Sequence, residues 1–332
     1  MHYNEFKEYI MDNIAGVYAD VMMSEQVSLK GSVDNDEIER IKSCEVAINQ
    51  ITKNNGIKLD ALSIYKKGEK LSPNIYLKPY YDRYLMGKPL DFIMTEMVFH
   101  YRNERADTDD LQCKRLNDYD EIKDRIIVRL INKELNKELL KGCPYIEYLD
   151  LAITFRYLVS NGKKGLATIM ITNKEFDEWN VSKEDLYAKA LDNTMMLFPC
   201  KGVSLFDVVL EGISKHDNLV SEEVLKEINN LQSGMPRMHL FTNLDKAFGA
   251  AVILYDGVIR NFADAEHCNV FILPSSVHEV MLVPDDGTFD ADFLKGLLEN
   301  ANDSSVGVID LLGDDIYYYD LETDSISICE TD

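Results

Sequence analysis

Residues 150–171 read Asp150-Leu151-Ala152-Ile153-Thr154-Phe155-Arg156-Tyr157-Leu158-Val159-Ser160, then Asn161-Gly162-Lys163-Lys164-Gly165, then Leu166-Ala167-Thr168-Ile169-Met170-Ile171. Ile153, Phe155, Tyr157 and Val159 occupy alternate positions, the period of a strand with one face buried. Asn161-Gly162 opens a short Gly/Lys loop, and Leu166–Ile171 reads as the return strand, so the stretch is a β-hairpin. Helices are expected directly after it. Thr172 with Glu175 forms a capping box ahead of Phe176 and Trp179, and Ser182 with Asp185 is its acidic variant ahead of Leu186, Ala190 and Leu197. A hairpin followed by helices points to an α+β fold, with mixed or antiparallel sheets and packed helices.

Outward from this centre the same pattern recurs. On the N-terminal side, Phe6, Ile10, Ile14 and Val17 predict an amphipathic helix, and a second helix is expected around Glu37–Thr52. Leu59–Tyr65 and Asn74–Leu77 read as strands with a turn at Lys67-Gly68. Leu90, Ile93, Met94, Met97, Val98 and Tyr101 predict a strong helix. The charged stretch 103–120 reads as a loop, and Ile126–Ile131 as a strand. On the C-terminal side, helices are expected at Ser204–Gly212 and Ser221–Leu231, and a strand at His239–Thr242. Ala247–Tyr255 fits helix or strand. Val270–Leu273 and Glu279–Val283 read as strands joined by Pro274–His278. Asp290 caps a helix carrying Leu294, Leu297 and Leu298, with Phe289 stapled to it. A last hairpin closes around Glu322-Thr323-Asp324. The reading gives three modules: an N-terminal α/β module at 1–105, a central hairpin-plus-helices module at 120–200, and an acidic α+β module at 235–332.

The 332 residues carry 35 Lys+Arg against 58 Asp+Glu, a formal charge of -23. That balance argues against a generic phosphate-binding surface, since duplex DNA carries about one negative charge per 1.7 Å of axis. The imbalance is local. Residues 1–166 hold 25 bases and 27 acids, whereas from 261 onward there are 17 acids and one base, Lys295. No apolar run approaches the ~20 residues of a membrane span. Met1–Ile10 has no basic-then-apolar leader pattern. The six cysteines are scattered, without a C-x-x-C pair, which fits reduced thiols rather than a disulfide framework. A cytoplasmic protein is therefore expected.

Several stretches together resemble a known family. They are Pro73-Asn74-Ile75-Tyr76-Leu77 with Tyr80-Tyr81-Asp82 and Tyr84, then Ile171-Thr172-Asn173. The Glu184-Asp185-Leu186 helix with Ala190 and Asn193 follows, and then Thr242-Asn243. The most distinctive is Phe271-Ile272-Leu273-Pro274-Ser275-Ser276-Val277-His278-Glu279-Val280 with Val283-Pro284. In this order, over nearly the whole chain, they resemble the bacterial domain-of-unknown-function family 5688. The blocks 166–197 and 270–284 are also distantly similar to domain-of-unknown-function family 1444. Neither resemblance implies an activity or a catalytic residue.

The search for chemistry excludes more than it finds. There is no dinucleotide or P-loop glycine pattern, no H-E-x-x-H, no G-x-S-x-G and no calcium loop, so no cofactor is expected. None of the six histidines has another within five residues, and no metal site is expected. The catalytic candidates are Ser275, Ser276, His278 and Glu279, with Cys268 as an alternative nucleophile, because a serine or thiol activated by histidine and oriented by a carboxylate is the logic of acyl transfer. The favoured reading of the same residues is a β-turn, in which Pro fixes φ and Ser bonds locally to backbone. Asp109-Asp110, Asp285-Asp286 and Asp314-Asp315 read as solvated turn acids, with cation binding at 285–290 as the alternative. Tyr76, Tyr80, Tyr81 and Tyr84 supply contact area with polar tips, for an interface or for a helix packed on a sheet. Asp314, Asp315 and Asp320 mark the acidic third as a binding face.

The expectation is a non-catalytic binding or regulatory protein that meets a basic protein partner through its acidic third. The alternatives are an acidic nucleic-acid-mimic inhibitor and a hydrolase using the Ser275/Ser276–His278 region. No membrane association and no direct nucleic-acid binding are expected, and the sequence specifies no oligomeric state.

Overall fold

The alternation at 150–171 does build a hairpin, and a sheet assembles around it. The computed structural model describes residues 1–66, 72–108, 116, 118–162, 165–216 and 234–331. They form two units, one of residues 1–53 and 57–115, the other of 54–56 and 116–332. The second unit holds both the hairpin and the acidic third. The chain is an α+β protein whose sheets are antiparallel throughout.

In the first unit, α1 (Tyr3–Lys30) stops at Gly31, whose φ of +77° is the left-handed cap that glycine adopts without strain. It buries Phe6, Ile10, Ile14 and Tyr18, one residue per turn. α2 (Asn35–Lys42) leads into β1 (Glu45–Thr52), which pairs with β2 (Lys58–Tyr65), and β2 pairs with β3 (Ile75–Tyr76). α3 (Lys78–Leu85) and α4 (Leu90–Thr108) follow. The core joins the α1 stripe to Leu62, Ile64, Ile75 and Leu77 of the sheet segment, and to Ile93, Met94, Met97, Val98 and Tyr101 of α4. Each such fully buried side chain is worth about 1.5–3 kcal/mol over exposure.

Two expectations fail here. Residues 37–52 are not one helix, because Val46, Ile48 and Ile51 are β-branched and β2 offers a complete ladder from Glu45↔Tyr65 to Thr52↔Lys58. The charged stretch from 103 begins as helix, α4 running on to Thr108. The Lys67-Gly68 turn and the acids Asp109-Asp110 lie outside the described residues.

In the second unit, α5 (Tyr119–Ile122) precedes β4 (Ile126–Asn132); α6 (Lys137–Leu140) and β5 (Tyr145–Tyr148) follow, then β6 (Leu151–Gly162) and β7 (Gly165–Met170). β6 is the spine, pairing along one edge with β4 and along the other with β5 and then β7. The expected one-sided alternation is only half the story. Leu151, Ala152, Thr154 and Leu158 are buried as well as Ile153, Phe155 and Tyr157, and the register shifts between Leu158 and Ser160. α7 (Asn173–Glu178) and α8 (Lys183–Leu197) start at the predicted caps, with Asp185 N donating to Ser182 Oγ at 3.0 Å.

A six-stranded sheet forms from the rest: β8 (Cys200–Ser204), β9 (His239–Asn243), β10 (Val270–Ser276), β11 (Glu279–Pro284), β12 (Tyr317–Asp320) and β13 (Ser325–Ile328), in the order β13-β12-β10-β11-β9-β8. α9 (Leu205–His216), α10 (Val258–Glu266) and α11 (Ala291–Ser305) are further helices of the unit among the described residues. Leu294 and Leu298 of α11 pack on Phe271, Leu273, Val283 and Ile316, and Phe289 joins that cluster as expected of a staple. The ambiguous run 247–255 is a buried 3-10 turn, Gly249–Leu254. β8 pairs fully with β9, yet its Cys-Lys-Gly-Val-Ser composition gives little strand signal. The helix expected at Ser221–Leu231 lies outside the described residues. No helix among the described residues is long and apolar enough to cross a membrane.

Candidate functional site

The β10–β11 hairpin carries the serine–histidine candidates, and its turn is tighter than the sequence implies. β10 continues through Pro274 to Ser276 after a register shift at Leu273, leaving only Val277-His278 as the loop. Residues 307–313 hold this extension in place. Val277 N donates to Asp310 O at 2.8 Å, and Leu312 N to Ser275 O at 3.0 Å.

The serines are engaged by the fold. Ser275 Oγ donates to Asn302 Oδ1 at 2.6 Å in a buried position, and Asn302 Nδ2 donates to Gly313 O and Asp314 Oδ1. Ser276 Oγ accepts from the backbone N–H of His278 at 3.0 Å, a local turn bond of the kind Ser makes. The imidazole of His278 reaches elsewhere. Its Nδ1 accepts from Phe248 N at 3.3 Å, which places the ring proton on Nε2, and Nε2 faces Asp310 Oδ1 at 3.3 Å. Glu279 begins β11 opposite Ser276. Cys268 precedes β10, and burial with Glu266 nearby pushes its thiol up, away from the reactive thiolate.

Phe248 is the hub of this region. It lies in a turn after β9 that Asn243 closes, its side chain bonding both the N–H and the carbonyl of Ala247. Lys246 and Phe248 adopt φ of +53° and +56°, the left-handed region that costs a non-glycine residue on the order of 1–3 kcal/mol. The bond to His278 and the next residue fix that strained backbone. Gly249 sits so close to its neighbours that a Cβ there would lie 2.3 Å from His278 O and 2.2 Å from Thr242 Oγ1. The Phe248 ring stacks on His278 at 6.1 Å with planes 13° apart. The Arg129 guanidinium lies 4.3 Å from the ring centroid, and that of Arg156 lies 6.0 Å away.

Register explains why the two arginines meet. Arg156 pairs with Ile127, and Thr154 with Arg129, so both arginines project from one face of the β4–β6 ladder. Arg156 Nε donates to Thr168 Oγ1 on β7 at 2.7 Å. Arg129 Nε is enclosed and meets no acceptor among the described residues. Burial first, then Arg156, pushes its guanidinium down to about 9, with Asp310 opposing the shift.

The other sequence candidates stand apart from this cluster. In the first unit, Tyr80 is buried and its hydroxyl meets His100 Nδ1 at 2.8 Å. Tyr81 and Tyr84 pack on Phe6 of α1 at 5.3 and 5.9 Å, and Tyr76 lies under the Lys53 ammonium at 4.6 Å. In the second unit, Asp314 is exposed and accepts from Asn302, while Asp315 adds to the field around Asp150 and Tyr317. Asp320 accepts from Thr323 N and Oγ1, which hold its carboxyl below the usual range. At 285–290 the acids close turns: Asp285 accepts from Gly287 N and Tyr318 Oη, Asp286 from Thr288 N, and Asp290 from Phe293 N. No group of three His, Cys, Asp or Glu suited to a metal exists among the described residues.

Arg129, Arg156, Phe248 and Asp310 were not singled out by sequence. The signal was there for two of them. Arg129 interrupts the β-branched run Ile126–Ile131, and Arg156 interrupts Leu151–Val159. A charge in the middle of a buried strand is rare unless it is paired.

No curated protein and no solved structure matches this chain. A match to the family of unknown function DUF5688 spans residues 3–321, and the chain therefore belongs to that family.

Proposed function

We propose that this is a non-catalytic binding protein that engages a basic protein partner through the outer face of α11 and the adjoining β12–β13 edge. The observation that carries the reading is the surface of α11. Leu294 and Leu298 face inward, while Asp292, Glu299 and Asp303 are exposed at i, i+7 and i+11 on the opposite side. Phe293, 43% exposed, stacks on Phe289 at 4.9 Å beside them. Glu299 and Asp303 enter no ion pair among the described residues. An exposed aromatic beside the exposed carboxylates of Glu299 and Asp303 offers contact area plus electrostatic steering toward a cationic surface.

The hydrolase alternative has one point in its favour, the His278–Asp310 pair, which is the base-and-orienter half of a catalytic triad. Against it, Nδ1 is taken by Phe248 N and Nε2 faces Asp310, so neither nitrogen is directed at a serine. One experiment separates the readings. The tagged chain and its Glu299→Gln/Asp303→Asn variant are used to capture partners from native lysate at low and high salt. A stoichiometric basic partner, released by salt and lost with the variant, supports the proposal. Turnover of ester, amide or phosphoester substrates by the wild-type chain that disappears in Ser276→Ala or His278→Ala would refute it.

A further inference from the structure

We infer that His278 and the turn carrying Phe248 form a pH-sensitive latch in the second unit, closed by the neutral imidazole and opened when the imidazole takes up a proton from solvent. This goes beyond the partner face proposed above and does not depend on it.

One hydrogen bond here exists in only one protonation state. The Phe248 N–H donates to His278 Nδ1 at 3.3 Å, and an imidazole nitrogen accepts only while it carries no proton. Imidazole is the side chain that changes charge between about pH 5 and 8. Once Nδ1 is protonated, it and the Phe248 N–H are two donors facing each other, and the contact has to open. The His278 side chain is 33% exposed, so solvent protons reach it. Asp310 lies against Nε2 at 3.3 Å and favours the charged form, while Arg129 on β4 and Arg156 on β6, both set against the Phe248 ring, oppose it. Asp245 and Lys246 precede Phe248 in the turn, Asp245 accepting from Asn161 Nδ2 at 2.9 Å, and Glu279 follows His278 on β11.

The fold decides which side of that contact gives way. The His278 backbone is pinned, its N–H donating to Ser276 Oγ at 3.0 Å and its carbonyl accepting from Thr242 Oγ1 at 2.7 Å. Protonation also turns the Nε2–Asp310 contact into an ion pair, and Asp310 belongs to a segment that Val277 and Ser275 bond to the β10–β11 hairpin. The turn is the weaker partner. Lys246 and Phe248 hold φ of +53° and +56°, and such conformations persist only where the surroundings hold them. Asn243 clamps Ala247, but the acceptor for the Phe248 N–H is the imidazole. Without it the turn relaxes, and the Phe248 ring leaves both the imidazole, on which it stacks at 6.1 Å, and the guanidinium of Arg129.

The test follows the full chain by hydrogen exchange and by NMR with isotope-labelled histidine between about pH 5 and 8. The His278 signal, identified by its absence from His278→Gln, reports the proton on Nδ1. Exchange is read by mass spectrometry on peptides covering 243–255, corrected for the intrinsic pH dependence of amide exchange and referenced to peptides from α8. The expected result is protection of 243–255 that falls roughly tenfold as His278 takes up its proton, the effect of a lost hydrogen bond whose donor is left unpaired, with α8 unchanged. His278→Gln keeps a neutral acceptor and does not titrate, so its protection should be the same at both ends of the range. Asp310→Asn removes the group that favours the proton, so the transition should move to lower pH. A His278 that stays neutral across the range overturns the inference. So does protection of 243–255 that is unchanged as His278 titrates, or a transition that survives in His278→Gln. If far-UV circular dichroism shows that His278→Gln does not fold, Asp310→Asn decides, and a transition left at the wild-type pH overturns the inference.

Discussion

Gly249 is the position where a single methyl group should do the most harm. It lies at the start of the buried 3-10 turn, against β9 and the β10–β11 loop. A Cβ there would sit 2.2 Å from Thr242 Oγ1, 2.3 Å from His278 O and 2.8 Å from Asn243 N. Two of those atoms are backbone, so the clash is not relieved by rotating a side chain. Overpacking of this kind costs about 1–3 kcal/mol. The Thr242 hydroxyl also donates to His278 O at 2.7 Å, and it has to move aside. Losing that bond adds about 0.5–1.5 kcal/mol. Gly249→Ala should therefore destabilise the second unit by about 2–4 kcal/mol. At roughly 2–4 °C per kcal/mol for a unit of this size, Tm falls by about 5–15 °C. The assay is built into the molecule. Trp179, the only tryptophan in the chain, is buried in the second unit with Nε1 donating to Leu116 O at 3.2 Å. Its fluorescence during urea unfolding reports that unit directly. Gly16→Ala is the contrasting control: nothing lies within 4 Å of its Cβ position in the middle of α1. It should stabilise by about 0.5–1 kcal/mol, read by circular dichroism. A Gly249→Ala midpoint within about 0.5 kcal/mol of the wild type would refute the close-packing argument.

Asp150 and the cysteines give two further tests. Burial raises the Asp150 carboxyl above the usual range, partly offset by the hydroxyl of Tyr317, which donates to it at 2.5 Å. A raised carboxyl binds its proton more tightly when folded, so its stabilising contribution is complete below the ordinary carboxylate range and is lost as pH rises through the folded value. Asp150→Asn, which keeps an acceptor for Tyr317, should match the wild type at about pH 4 and gain on it toward pH 7. A stability difference that stays flat across that window would contradict this. Burial pushes the thiols of Cys143 and Cys200 up to about 11 each, so both should react slowly with an aromatic disulfide reagent near neutral pH and fast in urea, as followed by peptide mapping. Rapid labelling of either cysteine in the native chain would show that the site is open.

Much of the architecture was legible because the local signals agree with the final packing. The Phe6–Ile10–Ile14 stripe, the Ser182 and Asp290 caps, the 150–171 hairpin and the closing hairpin around residues 322–324 were all read correctly. The misreadings share a cause. Residues 45–52, expected within a helix, became a strand because β2 was available to pair with them, and 200–204, for which no element was expected before the helix at Ser204, did so because β9 was. A partner strand distant in sequence decides such segments, and no local window contains it. The helix into which residues 249–254 tighten is likewise set by the surfaces that enclose it.

The candidate site follows the same division. Sequence identified the residue types at 274–279 and placed a turn across Pro274–His278, whereas β10 runs on through Ser276 and only Val277-His278 form the loop, because residues 307–313 pair with the extension. It also located the charge asymmetry, because net charge is a sum over residues and needs no coordinates. What His278 touches was decided only by tertiary structure. Phe248 lies thirty residues before it and Asp310 thirty-two after it, and both are brought to the imidazole by strand order. The meeting of Arg129 and Arg156 depends on the register of two strands, which a shift of one residue would have sent to opposite faces.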